Sequence, residues 1–280
     1  MADQLRRGVA RFKTLRNLGI GGLGRVEEAE VILSNAFDLP IGKRIAVKYL
    51  NDQWKVNQTI CLRFEREIGI VKTLEHPMIV PYLGENVSDG PERFYAMPVY
   101  EKSLRKHMAD RKLPYDWWEV AAFGARLADA LAYAHARGHI HRDLKPENIL
   151  MSAGVVVIAD WGLGGFVHRE SKVLQHLTNG GLGTEYYCSP EQWLSGDCQA
   201  PGDVYSLGMT LAELTLGRQL PMALGLGIRQ DIVVANSAGA AQFNALIRRM
   251  SSMLVTGRIQ SMTDVAAGLR HAAALRSRAA

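Results

Sequence analysis

The most constraining stretch of the chain is His139-Ile-His141-Arg142-Asp143-Leu-Lys145-Pro-Glu147-Asn148-Ile-Leu150. From Asp143 to Asn148 it packs a carboxylate, a cation and a carboxamide into six residues, and an apolar strand-like segment follows at once. That is more chemistry than a connecting loop needs. The stretch before it, from Asp116 to about Arg137, reads as a helix with Val120, Phe123, Leu127, Leu131 and Ala134 on one face. Asp116-Trp-Trp-Glu119 has the spacing of a capping box, and Gly138 supplies the stop. After the run, Ile149 to Met151 and Val155 to Ala159 read as two short strands with Gly154 in the turn.

The rest of the chain sorts into two parts. Leu18 to Val31, Arg44 to Leu50, Ile79 to Leu83 and Arg93 to Val99 carry strand patterning. Among them, Leu62 to Leu74 spaces Ile68, Val71 and Leu74 as one face of a helix, which His76-Pro77 ends. Beyond residue 100 the patterning is mostly helical, with buried helices predicted over Asp203 to Leu216 and Ala240 to Leu254. A β-rich lobe followed by an α-rich lobe predicts a cleft between them, where ligands bind. The length of 280 residues, 48% of them hydrophobic, suits one large domain of two lobes.

Charge and cysteine usage exclude several classes. The net charge of +5 permits acidic partners, but the basic residues are scattered and no nucleic-acid-reading motif is present, so no nucleic acid is expected. Cys61, Cys188 and Cys198 are odd in number and lack CxxC spacing, which argues against a disulfide framework or zinc site and fits a reducing compartment. No leader-like segment or membrane-length apolar run occurs, so a cytoplasmic protein without a membrane span is expected.

Two further motifs carry chemistry. Gly19-Ile20-Gly21-Gly22-Leu-Gly24-Arg-Val26 lets backbone approach phosphates closely. Strand residues follow these glycines, whereas a dinucleotide-binding turn opens a helix; on this motif alone a plain β-turn fits equally well. Lys48 ends the apolar run Ile45-Ala46-Val47. A lone lysine there would snorkel to solvent. Glu67, on the amphipathic helix, offers a partner, and the pair would hold the ammonium within reach of two phosphates.

With Asp160-Trp161-Gly162 and Ser189-Pro190-Glu191 added, the motifs resemble the HRDxxxxN, DFG and APE elements of protein kinases, in family order from Leu18 to Arg258. Gly183 to Gln192 is similar to eukaryotic-like (Hanks-type) serine/threonine kinases of bacterial type. The resemblance implies an α+β, bilobal protein-kinase fold: a β-rich N-lobe with one key helix (about 1–97), a hinge (about 98–101) and a mostly helical C-lobe (about 102–280). It implies ATP and Mg²⁺ as cofactors and a protein substrate; the activating signal is not visible in the sequence, and a regulator, if a partner supplies one, is separate. Leu18, Gly19, Ile20, Gly21, Gly22, Gly24, Val26, Ala46, Lys48, Met97, Pro98, Val99, Tyr100 and Leu150 would bind the nucleotide. Asp143 would serve as base, Lys145 would meet the γ-phosphate, Glu67 would orient Lys48, and Asn148 and Asp160 would hold the metal.

Lys145 resembles the serine/threonine class, and Thr184 would bond to Asp143 and Lys145. Arg142 needs a counter-charge, for which phosphorylated Thr178 is the first candidate and Ser171 the second; Thr178 also reads as an ordinary polar loop residue. Asp203 resembles the residue that holds the catalytic loop, and Glu191 with Arg258 a buried ion pair. Glu147 could favour a basic residue near the target. Trp161 departs from the usual Phe, residues 34–43 lengthen one connection, and residues 221–239 match poorly, reading as a surface helix or a docking site. Two alternatives remain: a pseudokinase scaffold, opposed by the presence of Lys48, Asp143 and Asp160, and a small-molecule phosphotransferase of the same fold, opposed by the Ser189-Pro190-Glu191 pattern.

Overall fold

Alternation along Arg44–Leu50 (β3) puts Ile45, Val47 and Tyr49 on one face of a pleated strand and Ala46, Lys48 and Leu50 on the other. All six are buried, so both faces are covered. Four more strands, Arg11–Ile20 (β1), Gly24–Leu33 (β2), Gly84–Asn86 (β4) and Phe94–Pro98 (β5), join it in an antiparallel sheet of order β1-β2-β3-β5-β4. In this computed structural model the described residues are 11–21, 23–33, 39–86, 93–111, 114–161, 186–219 and 238–275. They belong to two compact units, 1–101 and 102–280.

In the first unit, one sheet face closes over Phe12, Ala29, Val31, Ile45, Val47, Tyr49, Phe94 and Ala96, with Leu39 and Leu83 packed against it. The helix Gln58–Thr73 (α1) begins one turn earlier than its apolar pattern suggests, because Asn57 caps it by accepting from Ile60 N at 3.1 Å. Its buried residues include Ile60, Phe64, Ile68 and Val71, and Phe64 packs on Tyr95 with ring centroids 6.0 Å apart. The strand expected over Ile79 to Leu83 is instead confined to Gly84–Asn86. Pro81 has no N–H to give a ladder; Ile79 makes only an isolated bridge, and the pairing that leads into β4 begins where Leu83 N donates to Ala96 O at 2.9 Å.

The second unit holds a small antiparallel sheet of Lys102–Ser103 (β6), Ile149–Ser152 (β7) and Val155–Ile158 (β8). Its described helices are Leu104–Arg111 (α2), Trp117–His135 (α3), Pro190–Ser195 (α4), Ala200–Leu216 (α5), Ala238–Met250 (α6) and Met262–Ala274 (α7). Every residue of α5 from Gly202 to Thr215 is buried, the mark of a helix enclosed on all sides. A Cβ at Gly124 of α3 would stand 2.6 Å from Leu211 of α5 and 3.2 Å from Leu269 of α7, so glycine is what lets these three helices meet. The capping box expected at Asp116 does not form: its side chain makes no cap hydrogen bond, and Glu119 turns to Arg111 at 3.7 Å. No helix among the described residues is long and apolar enough to cross a membrane.

Candidate active site

In the first unit, a carboxylate occupies the apolar stripe of α1. Glu67 is wholly buried and must be paired. Lys48 Nζ meets its Oε1 at 2.6 Å, and the Tyr95 hydroxyl donates to the same oxygen at 2.8 Å. Lys48 sits on β3 opposite Val26 of β2 and Tyr95 of β5, so the sheet register sets its position. The glycine hairpin ends beside it. Ile20 pairs with Arg25, Gly21 N donates to Gly24 O at 2.8 Å, and Asn51 ties the turn down by donating Nδ2 to Gly21 O at 3.0 Å.

The glycines differ in what demands them. A Cβ at Gly24 would lie 2.5 Å from Tyr49 O, which no side chain tolerates, and 3.8 Å from Lys48 Cε. A Cβ at Gly19 would meet nothing within 4 Å. Close packing of β2 on β3 thus explains Gly24, whereas open space surrounds Gly19. Ala46 and Met97 face each other across β3 and β5 and are buried, while Leu18 and Ile20 are exposed. Pro98 closes β5 opposite Ile45, and Val99 and Tyr100 follow it, half-buried.

In the second unit, Asp203 organises the loop that follows α3. It lies in the first turn of α5, where the helix dipole favours an anion. Its carboxylate accepts from His141 N and Arg142 N, both at 2.8 Å, and from His135 Nε2 at 2.8 Å. Complete burial pushes its pKa up, but these hydrogen bonds and the nearby histidines outweigh it and hold the carboxyl below its ordinary range. The clamp holds Arg142 at φ +70°, a left-handed conformation costing roughly 1–3 kcal/mol. Asp160 shares this conformation at φ +61°. Gln192 of α4 adds a further tie, donating Nε2 to Arg142 O at 2.7 Å.

The loop so fixed brings three of the expected residues together. Lys145 Nζ lies 2.9 Å from Asp143 Oδ2. Asn148 Nδ2 donates to Asp143 O at 2.8 Å and to Asp143 Oδ2 at 3.0 Å, so neither bond uses the carboxamide oxygen. Burial opposes the charge on Lys145, but the carboxylates of Asp143, Glu147 and Asp160 outweigh it and raise its pKa, so it stays an ammonium. His141 accepts from Asp143 N at 3.3 Å through Nδ1 and bonds Ala159 O at 2.9 Å through Nε2, which fixes the Nε2–H tautomer. The fully buried Trp161 lays its ring 4.8 Å from that imidazole and donates Nε1 to Ile158 O at 3.2 Å. Leu150 lies on β7 opposite Ser103 and Val157. Glu191 and Arg258 form a two-pronged ion pair at 2.6 and 3.0 Å.

Gly22, Ser171, Thr178 and Thr184 lie outside the described residues, as do Gly162 and residues 220–237. Sequence reasoning missed His135, Gln192 and Arg105 (Arg105 contacts Glu147 at 2.7 Å). Each acts across 42 or more residues of sequence, so no local pattern marks it.

Residues 12–245 match the family described as Protein kinase domain. The chain belongs to the protein kinase family. Three proteins illustrate its relations within and around that family. A Clostridium perfringens protein, named a probable serine/threonine-protein kinase, is 35% identical over 210 residues, covering 74% of this chain and 29% of its own. PrkC of Bacillus subtilis, a serine/threonine-protein kinase, is 30% identical over 210 residues, covering 74% and 31%. The chain thus spans about a third of the length of these curated relatives. The crystal structure of the Mycobacterium tuberculosis PknI kinase domain superposes with a TM-score of 0.70 at 23% identity, covering 97% of this kinase chain and 100% of that one. It shows the same fold.

Proposed function

We propose that this chain is an ATP-dependent serine/threonine protein kinase that transfers the γ-phosphoryl group of ATP to a protein hydroxyl. The observation that carries this reading is the loop cluster of Asp143, Lys145 and Asn148, set on backbone clamped by Asp203. Phosphoryl transfer asks a protein for alignment and charge neutralisation rather than covalent help. Asp143, steadied by Lys145 and Asn148, is the group to orient the acceptor hydroxyl and take its proton. Lys145, kept cationic by its carboxylate neighbours, is the group to meet charge developing on the γ-phosphate. In the first unit, Lys48, oriented by Glu67 and Tyr95, is the group for the α- and β-phosphates. The Gly19–Val26 hairpin would cover the phosphates, and Leu18, Val26, Ala46 and Met97 would meet the adenine.

The donor set suits Mg²⁺, since Asn148 and Asp160 offer the hard oxygens it takes. Among the described residues no group of three or more His, Cys, Asp or Glu could hold a metal alone, which fits an ion completing its shell with phosphate oxygens and water. When bound, Mg²⁺ neutralises phosphate charge. Lys145 and the names of the relatives favour serine or threonine over tyrosine as acceptor. Arg142, whose Nε is shielded from solvent with no hydrogen-bond partner among the described residues, is the proposed receiver of an activating phosphate on Thr178 or, second, Ser171. An odd number of cysteines without CxxC spacing supports a cytoplasmic setting. The test is transfer of labelled phosphate from ATP with Mg²⁺ to the protein itself or to a generic protein substrate. Label on the wild-type chain and none on Asp143→Ala is expected; equal labelling of the two, or none on either, defeats the proposal.

A further inference from the structure

Arg105, in the first turn of α2, gathers groups from three other segments of the second unit. Its Nε donates to Glu147 Oε1 at 2.7 Å. Its Nη1 and Nη2 both engage the Glu213 carboxylate of α5, and Nη2 also donates to the Tyr187 hydroxyl. That hydroxyl donates in turn to Glu213 Oε2, and Gln219 Nε2 reaches it at 3.3 Å. The side chains of Glu213, Arg105 and Glu147 are 4%, 29% and 38% exposed, so the recess opens to solvent at its Glu147 end. Burial works against the charge of Arg105, but Glu213 and Glu147 more than offset it and raise its pKa.

Two carboxylates and a phenol arranged around one planar fork make a recess shaped for a guanidinium. Its location gives it meaning. Glu147 lies in the turn Pro146–Asn148, four residues after Asp143 and directly before Asn148. Read from sequence, Glu147 invites a basic residue of a substrate. In the structure its Oε1 is already engaged from within the chain.

We propose that Arg105 determines substrate class: it fills the recess of Glu147 and Glu213 with the chain's own guanidinium, and so denies counter-ions to an arginine or lysine flanking the acceptor hydroxyl. The enzyme then takes acceptor sequences without a basic residue at that place, and removing Arg105 opens the recess to one. This rests on the protein-kinase reading.

The experiment compares serine peptides in which a single arginine is moved through each flanking position of an otherwise neutral sequence, measured as kcat/KM relative to the alanine parent. For the wild-type chain the ratio stays within about fivefold at every position, the size of a screened surface contact. In Arg105→Ala it rises by roughly thirtyfold at one position, as expected for a cation reaching a partly desolvated carboxylate pair. The gain disappears in the double variant Arg105→Ala, Glu147→Gln. If Arg105→Ala does not fold, Arg105→Gln takes its place, keeping most of the volume without the charge. Turnover with unchanged ratios in these variants overturns the proposal and leaves Arg105 a structural brace. So does a strong arginine preference in the wild-type chain that Glu147→Gln removes, a result needing no Arg105 variant. Wild-type silence on every peptide, with ATP and Mg²⁺ present, overturns the kinase reading and takes this inference with it.

Discussion

Asp203→Asn isolates the clamp on the catalytic loop. The native carboxylate is fully buried and accepts from two backbone N–H groups and from His135. Each hydrogen bond to a charged acceptor contributes about 1.5–3 kcal/mol, and a buried N–H left unpaired costs about 1–3 kcal/mol. Asparagine keeps one acceptor oxygen, enough for one backbone bond, and turns an NH₂ toward the other donors. The net loss should be about 2–4 kcal/mol, a large share of the stability of an ordinary domain. The left-handed Arg142 would then relax, shifting Asp143 with it. Urea unfolding followed by tryptophan fluorescence reads the first effect, since Trp117, Trp118, Trp161 and Trp193 all lie in the second unit. Phosphoryl transfer reads the second, where a displaced base should lower kcat roughly 10²-fold. A variant within about 1 kcal/mol of the wild type and with unchanged kcat would refute the reasoning.

Arg258→Ala strands Glu191 and frees Pro201 O and Ser252 O, so a loss of about 3–5 kcal/mol is expected in the same urea assay. Glu191 and Asp203 both have folded-state pKa values below their ordinary ones, for Glu191 because Arg258 and its own backbone outweigh burial. Their contribution is therefore full above roughly pH 4.5 and lost as pH falls through the folded-state values. The urea midpoint should drop on acidification, and the gap between wild type and Asp203→Asn should narrow. Ala153 stands at φ +44° beside Gly154 at φ +83° in the two-residue turn from β7 to β8. Ala153→Asn suits such a turn and should stabilise the chain by about 1 kcal/mol, read as a rise in urea midpoint.

Much of the site was legible because it is local. Asp143, Lys145 and Asn148 share one loop, and the Ile45-Ala46-Val47-Lys48 strand announces itself by its apolar run. Contacts closed over long stretches were not legible from pattern alone: Arg105 meets Glu213 across 108 residues, and Asp203 meets His135 across 68. The helix α2 escaped notice because only Leu104 is buried on it, leaving no apolar stripe to read. The start of α1 was misplaced because Asn57, a cap, sets it rather than the first apolar residue. At Asp116 the right residues stand at the right spacing, yet Arg111 claims Glu119, a competition that spacing cannot reveal. The helix α7 lies past the last motif and was missed for lack of any chemical landmark.

The central claim is that Asp143 serves transfer to protein serine or threonine. Its most direct measurement is mass-spectrometric identification of the acceptor residues after incubation with ATP and Mg²⁺, run beside Asp143→Asn. Phosphoserine or phosphothreonine formed by the wild-type chain and absent from the variant is the expected result. Phosphotyrosine alone, or no phosphorylated residue in the chain or in any protein offered to it, would contradict the account.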